Sequence, residues 1–64
     1  MSAILRELIG DRRVDDMTTL EARRIVAEFY LRVEILTFGK RNDKHMEYVC
    51  RSTLERYGLG YFAE

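Results

Sequence analysis

The sequence predicts a small all-α domain, and three observations lead to this fold class. Apolar residues recur at steps of three and four along most of the chain, which is the period of an amphipathic helix. Proline is absent, so no residue forces a helix to break. Residues that commonly cap helices lie at the ends of the periodic segments. We therefore expect one domain over residues 1–64 with three helices, at about 2–9, 19–38 and 44–57.

The first predicted helix is short and needs a partner. Ser2 is a candidate N-cap, and Gly10 fits the C′ position that follows a helix. Its apolar residues are Ile4, Leu5, Leu8 and Ile9. A helix of about two turns is marginal alone in water, so we expect it to dock its apolar face. A charged loop follows at 11–17, with Val14 and Met17 as possible tethers.

The second predicted helix is long and apolar on two sides. Thr18 and Glu21 fit a capping box at its start, and Gly39 fits the C′ position at its end. One broad face contains Ala22, Ile25, Val26, Phe29, Tyr30, Val33 and Leu36. A second line runs roughly opposite through Leu20, Ala27, Leu31, Ile35 and Phe38. A helix that is apolar nearly all round is usually buried by more than one neighbour.

The third predicted helix forms an antiparallel hairpin with the second. Asp43 is its expected N-cap. Gly58 at C′ and Leu59 at C″ fit a Schellman ending in which Leu59 meets Leu54. Its apolar face contains Met46, Val49, Cys50, Thr53, Leu54 and Tyr57. An aromatic tail with Tyr61 and Phe62 follows, which either covers the core or inserts into a partner.

Composition limits the classes of protein that this chain can belong to. It has 64 residues, zero net charge and one cysteine. A domain of about 60 residues is marginal alone, and a single cysteine cannot form a disulfide within the chain. No apolar run reaches the roughly 18 residues of a membrane span, and the N-terminus lacks the features of a signal peptide. We expect a cytoplasmic protein that does not act at a membrane.

No residue pattern indicates catalysis. His45 and Cys50 lie about 140° apart on the predicted third helix, too divergent to form a pair within it. The acidic loop with Asp11, Asp15 and Asp16 lacks the spacing of a calcium-binding loop. We therefore expect no enzymatic activity, no cofactor, no metal and no small-molecule substrate.

The remaining features favour a small protein–protein interaction module, such as an adaptor, an inhibitor or an assembly subunit of a phage-encoded or regulatory kind. The expected partner-binding residues are Leu20, Arg24, Leu31, Ile35, Phe38, Tyr61 and Phe62. The partner is another protein or a second copy in a homodimer, because the steps of seven, four and seven between Leu20, Ala27, Leu31 and Phe38 fit a short helical seam.

Two alternatives stay open. In the first, helices one and three pack on different sides of the long helix, and a single chain buries both apolar lines. In the second, the protein is a nucleic-acid-binding regulator that uses basic residues of the third helix, such as Arg51. Zero net charge disfavours the second alternative, since affinity for nucleic acid comes mainly from phosphate neutralisation.

Overall fold

The computed structural model describes residues 2–37 and 43–63 and shows the predicted small three-helix all-α fold. Its elements in chain order are α1 (Ser2–Ile9), a 3₁₀ turn (Val14–Asp16), α2 (Thr19–Leu36), α3 (Asp43–Arg56) and a second 3₁₀ turn (Gly60–Ala63). The described residues contain no strand. The ends of the three predicted helices agree with the observed ends to within two residues. Phe38 and Gly39 lie outside the described residues.

The end of α1 is closed by a glycine and by an arginine. Gly10 has φ 65°, and its N–H donates to the carbonyl of Arg6 at 2.9 Å, as predicted for a C′ glycine. The guanidinium of Arg12 donates to the carbonyls of Leu8 and Ile9 at 2.9 and 3.2 Å. These bonds satisfy carbonyls that have no partner within the helix. Ser2, expected as an N-cap, is the first residue of the helix itself.

The start of α2 confirms the predicted capping box. The Thr18 hydroxyl accepts the N–H of Glu21 at 3.1 Å, and the Glu21 carboxylate accepts the N–H of Thr18 at 3.3 Å. The Thr18 hydroxyl also donates to the Glu21 carboxylate at 3.2 Å. The two bonds that this carboxylate accepts from Thr18 lower the pKa of Glu21, and the nearby Arg12 guanidinium lowers it further. Arg12 also pairs with Glu21 at 3.3 Å. One arginine thus joins the end of α1 to the start of α2.

The two ends of α3 differ in how well they were predicted. Asp43 is the first residue of the helix and not the residue before it. At the other end the Schellman motif is confirmed, since Gly58 has φ 78° and the N–H of Leu59 donates to the carbonyl of Leu54 at 2.8 Å. Leu54 and Leu59 are both fully buried in the same core.

The core is built around one side of α2. Its buried apolar residues are Leu5, Ile9, Ala22, Ile25, Val26, Phe29, Val33, Cys50, Leu54 and Leu59. The backbones of α1 and of the turn Gly60–Ala63 contact α2. Residues of α3 still share this core through their side chains. Val14 and Met17, the predicted tethers, pack against it as well.

The hairpin of α2 and α3 is antiparallel, as predicted. Thr37 at the end of α2 and Met46 near the start of α3 line the same cleft. Gly58, just after α3, faces Val14, which precedes α2, and a Cβ at Gly58 would lie 3.8 Å from the Val14 side chain. The start of each helix therefore lies near the end of the other.

One residue of the predicted broad face is exposed. Leu36 lies on the core-facing side of α2 by helical angle, but it is 64% exposed. The helix α1 has 8 residues and α2 has 18, which at 1.5 Å per residue is about 12 Å against about 27 Å. The shorter helix cannot cover the full length of the longer one, and in the last turn of α2 Val33 is buried whereas Leu36 is exposed.

Candidate interaction surface

The outward side of α2 carries an apolar strip, which we call the outer ridge and define as Leu20, Ala27, Leu31 and Ile35. At about 100° per residue these four positions lie within a sector of about 80°. The exposed fractions of the three large side chains are 68% for Leu20, 50% for Leu31 and 66% for Ile35. Ala27 is exposed as well. The ridge therefore faces away from the core along almost the whole helix.

The exposure of the ridge shows that one of the two alternatives from the sequence is wrong for the described residues. A single chain was expected, under that alternative, to cover both apolar lines of α2 with α1 and α3. The largest fully buried side chains, Leu5, Phe29, Leu54 and Leu59, instead come together on one side of α2. A short chain gains most by joining its large apolar side chains in one core, so α1, α3 and the tail converge there.

Charged residues border the ridge on both sides. Glu28 lies along one edge, and Arg23 and Glu34 lie along the other. By helical angle Arg24 lies within the ridge, between Leu31 and Ile35. Arg24 has no ion-pair partner among the residues that the structure describes, whereas Glu28 lies 3.8 Å from Arg32. The ridge is thus an apolar strip that has charges of both signs along its edges and one exposed arginine within it.

The structure divides the predicted partner-binding residues between two places. Leu20, Arg24, Leu31 and Ile35 share the outward side of α2. Tyr61 and Phe62 belong to the C-terminal turn, where their rings make an edge-to-face contact with centroids 5.3 Å apart. Phe62 is half-buried against the core, and Tyr61 is 80% exposed. Phe38 lies outside the described residues.

The C-terminal turn contributes mainly to the fold. It contacts both α2 and α3, and Phe62 and Ala63 pack against the core. Tyr61 points away from this contact and lies near Glu55 on α3. Of the two expectations for the tail, covering the core fits Phe62, and only Tyr61 is exposed enough to serve as an anchor.

The outward side of α3 is polar and mixed in charge. Lys44, Arg51 and Glu55 are exposed there, together with Tyr48, whose ring is largely in solvent. Glu47 is exposed too. Acidic side chains among the basic ones reduce the attraction of this surface for phosphates, so it offers less to a nucleic acid than a uniformly basic helix would.

Reactive side chains are few in the described part of the chain and lie apart. Cys50 is buried, and burial raises the pKa of its thiol, so it is protonated at neutral pH. It borders a cleft between α2 and α3 with Tyr30, whose pKa is raised chiefly by burial. His45 is exposed at the start of α3. Among the residues described, no group of three or more His, Cys, Asp and Glu side chains is arranged to hold a metal ion.

Sequence reasoning did not identify the role of Arg12. The sequence does contain an indication of this role, because a basic side chain two residues after a C′ glycine can reach back to the last carbonyls of the helix. Because the segment 11–17 contains charges of both signs, it was interpreted as an ordinary solvated loop, and the role of Arg12 was not predicted.

Searches against known protein families, curated proteins and solved structures returned no match for this chain. Within the ranges described, none of the helices combines the length and the apolar character needed to cross a membrane. The function of the protein is therefore inferred from the surface chemistry of its fold.

Proposed function

We propose that this protein is a small interaction module that binds a protein chain through the outer ridge of α2. The observation that supports this is the alignment of three large aliphatic side chains, each at least half exposed, on one side of a well-capped helix. Single exposed apolar residues are ordinary on protein surfaces. An apolar strip bordered by charged residues is typical of an interaction site.

The ridge has the geometry that a helix-binding partner requires. From Leu20 to Ile35 it extends for about 22 Å at 1.5 Å per residue. Covering the exposed part of each large aliphatic side chain would contribute about 1–2 kcal/mol. Arg24 lies beside Leu20 and Leu31, and arginine is enriched among the residues that dominate binding energy. Roles as an adaptor, an inhibitor or an assembly subunit all fit such a surface.

A matched pair of variants tests the proposal. Leu31→Asp introduces a charge into the ridge, and Leu36→Asp introduces the same charge at an exposed leucine about 140° away on the same helix. Since neither side chain belongs to the core cluster, both variants are expected to keep the far-UV circular dichroism spectrum of the wild type. Each protein is tagged and used to capture binding proteins from the native host, with self-association measured in parallel.

The wild type and Leu36→Asp are expected to associate with a protein chain, and Leu31→Asp is expected to lose that association. Equal association by all three proteins would overturn the proposal, as would the absence of any associated protein chain. Binding of the wild type to random duplex DNA, with a steep loss on adding salt, would instead favour the nucleic-acid alternative.

A further inference from the structure

We infer that the chain seated on the outer ridge is a second copy of this protein, with the two α2 helices antiparallel about a two-fold axis. This inference rests on the proposed function, because it names the partner of the same surface. Two-fold homodimers are the commonest soluble oligomers, and in them one surface binds its own copy. The surface must then be complementary to itself, and the part of the ridge from Leu20 to Leu31 meets this requirement in shape and in charge.

The apolar residues of the ridge are spaced for such a pairing. If the axis lies midway in sequence between Leu20 and Leu31, Leu20 of one copy lies opposite Leu31 of the second copy, and Leu31 lies opposite Leu20 of the second copy. Ala27 lies next to that axis and opposes Arg24 and Ala27 of the second copy. Large side chains at both ends with a small one at the centre let two helices approach closely, as in helical seams.

The charge of Arg24 within the ridge and the charge of Glu28 along its edge are complementary under the same axis. A two-fold axis perpendicular to the helix pair keeps each edge of the ridge on its own side. Arg24 then lies within about one residue rise, roughly 1.5 Å along the helix, of the level of Glu28 of the second copy. Symmetry repeats this contact. Along the helix axis, each Arg24 lies closer to Glu28 of the second copy than to Arg24 of the second copy.

The interactions within one chain leave these groups available. Arg24 has no ion-pair partner among the described residues, and the contact between Glu28 and Arg32 is long at 3.8 Å and half-exposed. Because the chain has zero net charge, two copies do not repel one another overall. The stem of Arg24 would pass over Ala27 of the second copy and cover it, as long basic side chains commonly do.

The size of the ridge determines how tight the dimer is. The paired part of the ridge, from Leu20 to Leu31, is about 16 Å long, and such a contact lies at the low end of specific interfaces, below roughly 1,200 Å² in total. We therefore expect reversible association with a dissociation constant in the micromolar range. Measurements must extend to high micromolar concentration to populate the dimer.

Sedimentation equilibrium over a range of concentrations tests the inference. The apparent mass of the wild type is expected to rise from 7.6 kDa towards twice that value. Leu36→Asp is expected to behave in the same way, and Leu31→Asp is expected to stay monomeric. A wild type that remains monomeric at the highest concentration would overturn the inference, as would a Leu31→Asp variant that dimerises as the wild type does.

A charge exchange tests the antiparallel arrangement itself. Arg24→Glu and Glu28→Arg each place like charges at both symmetric contacts, so each variant alone is expected to dimerise about tenfold more weakly or worse. An equimolar mixture of the two variants is expected to associate nearly as well as the wild type, because each chain supplies the charge that the other needs. A mixture as weak as the separate variants would contradict the arrangement.

The outcomes also separate this inference from the proposed function. If the wild type is monomeric and captures a different host protein, and only Leu31→Asp loses this capture, the inferred homodimer is wrong and the proposed interaction surface is supported. A monomeric wild type that captures no protein at all would overturn both.

Discussion

Phe29 and Leu31 lie two residues apart on α2, and their side chains have opposite environments. Phe29 is fully buried, and half of the Leu31 side-chain surface is in solvent. Truncation of a buried phenylalanine to alanine costs about 3–5 kcal/mol, because contacts are lost and a cavity remains. A domain of this length has a free energy of unfolding of only about 3–10 kcal/mol, at about 0.05–0.15 kcal/mol per residue. Phe29→Ala is therefore expected to remove a third or more of the total stability.

Leu31→Ala is expected to cost less than about 1 kcal/mol in the monomer. The exposed half of the side chain contributes nothing to folding, and alanine has the higher intrinsic helix propensity. Urea unfolding followed by far-UV circular dichroism measures both variants against the wild type. The protein is kept at low micromolar concentration, so that self-association does not contribute to the apparent stability.

The comparison has an outcome that would refute the reasoning. If Leu31→Ala lost as much stability as Phe29→Ala at low concentration, the ridge would be part of the monomer core. The proposed interaction surface and the inferred dimer would then both be wrong.

Three further predictions test the helix ends and the core. Gly58→Ala is expected to lower the free energy of unfolding by about 1–2 kcal/mol, because φ 78° strains any residue with a Cβ; an unchanged urea midpoint would contradict the left-handed turn. The pKa of Glu21 is lowered in the folded state, so its charge stabilises the fold at neutral pH and this contribution is lost as the pH falls through the folded pKa. Glu21→Gln is accordingly expected to have a lower Tm than the wild type at neutral pH, with the difference disappearing in acid; a difference that is constant with pH would count against it. The Cys50 thiol is buried with a raised pKa, so a thiol reagent is expected to modify it much more slowly in buffer than in urea, and equal rates would show that the site is open.

The local features of the fold were largely predictable, because they depend on residues close together in sequence. The capping box at Thr18 and Glu21 needs only a three-residue spacing. The endings at Gly10 and Gly58 need a glycine after the last periodic residue. The helical period likewise placed Phe29 and Leu31 on opposite sides of α2.

Features that depend on the relative lengths of elements were harder to predict. Leu36 shares its helical angle with buried residues, and its exposure follows from how short α1 is beside α2. The turn Gly60–Ala63 contacts α2 as well, and this contact depends on how the whole chain folds back.

By itself, the sequence determined the helices, their caps and the presence of two apolar sides on α2. These are local properties, set by a period of about 3.6 residues and by the residue types at each helix end. Only the tertiary structure decided which apolar side is buried. A chain this short can enclose one core, and the side of α2 that holds Phe29 gathers the large residues of α1, α3 and the tail. The side that holds Leu31 is left in solvent for that reason, and this leaves it available to a second chain.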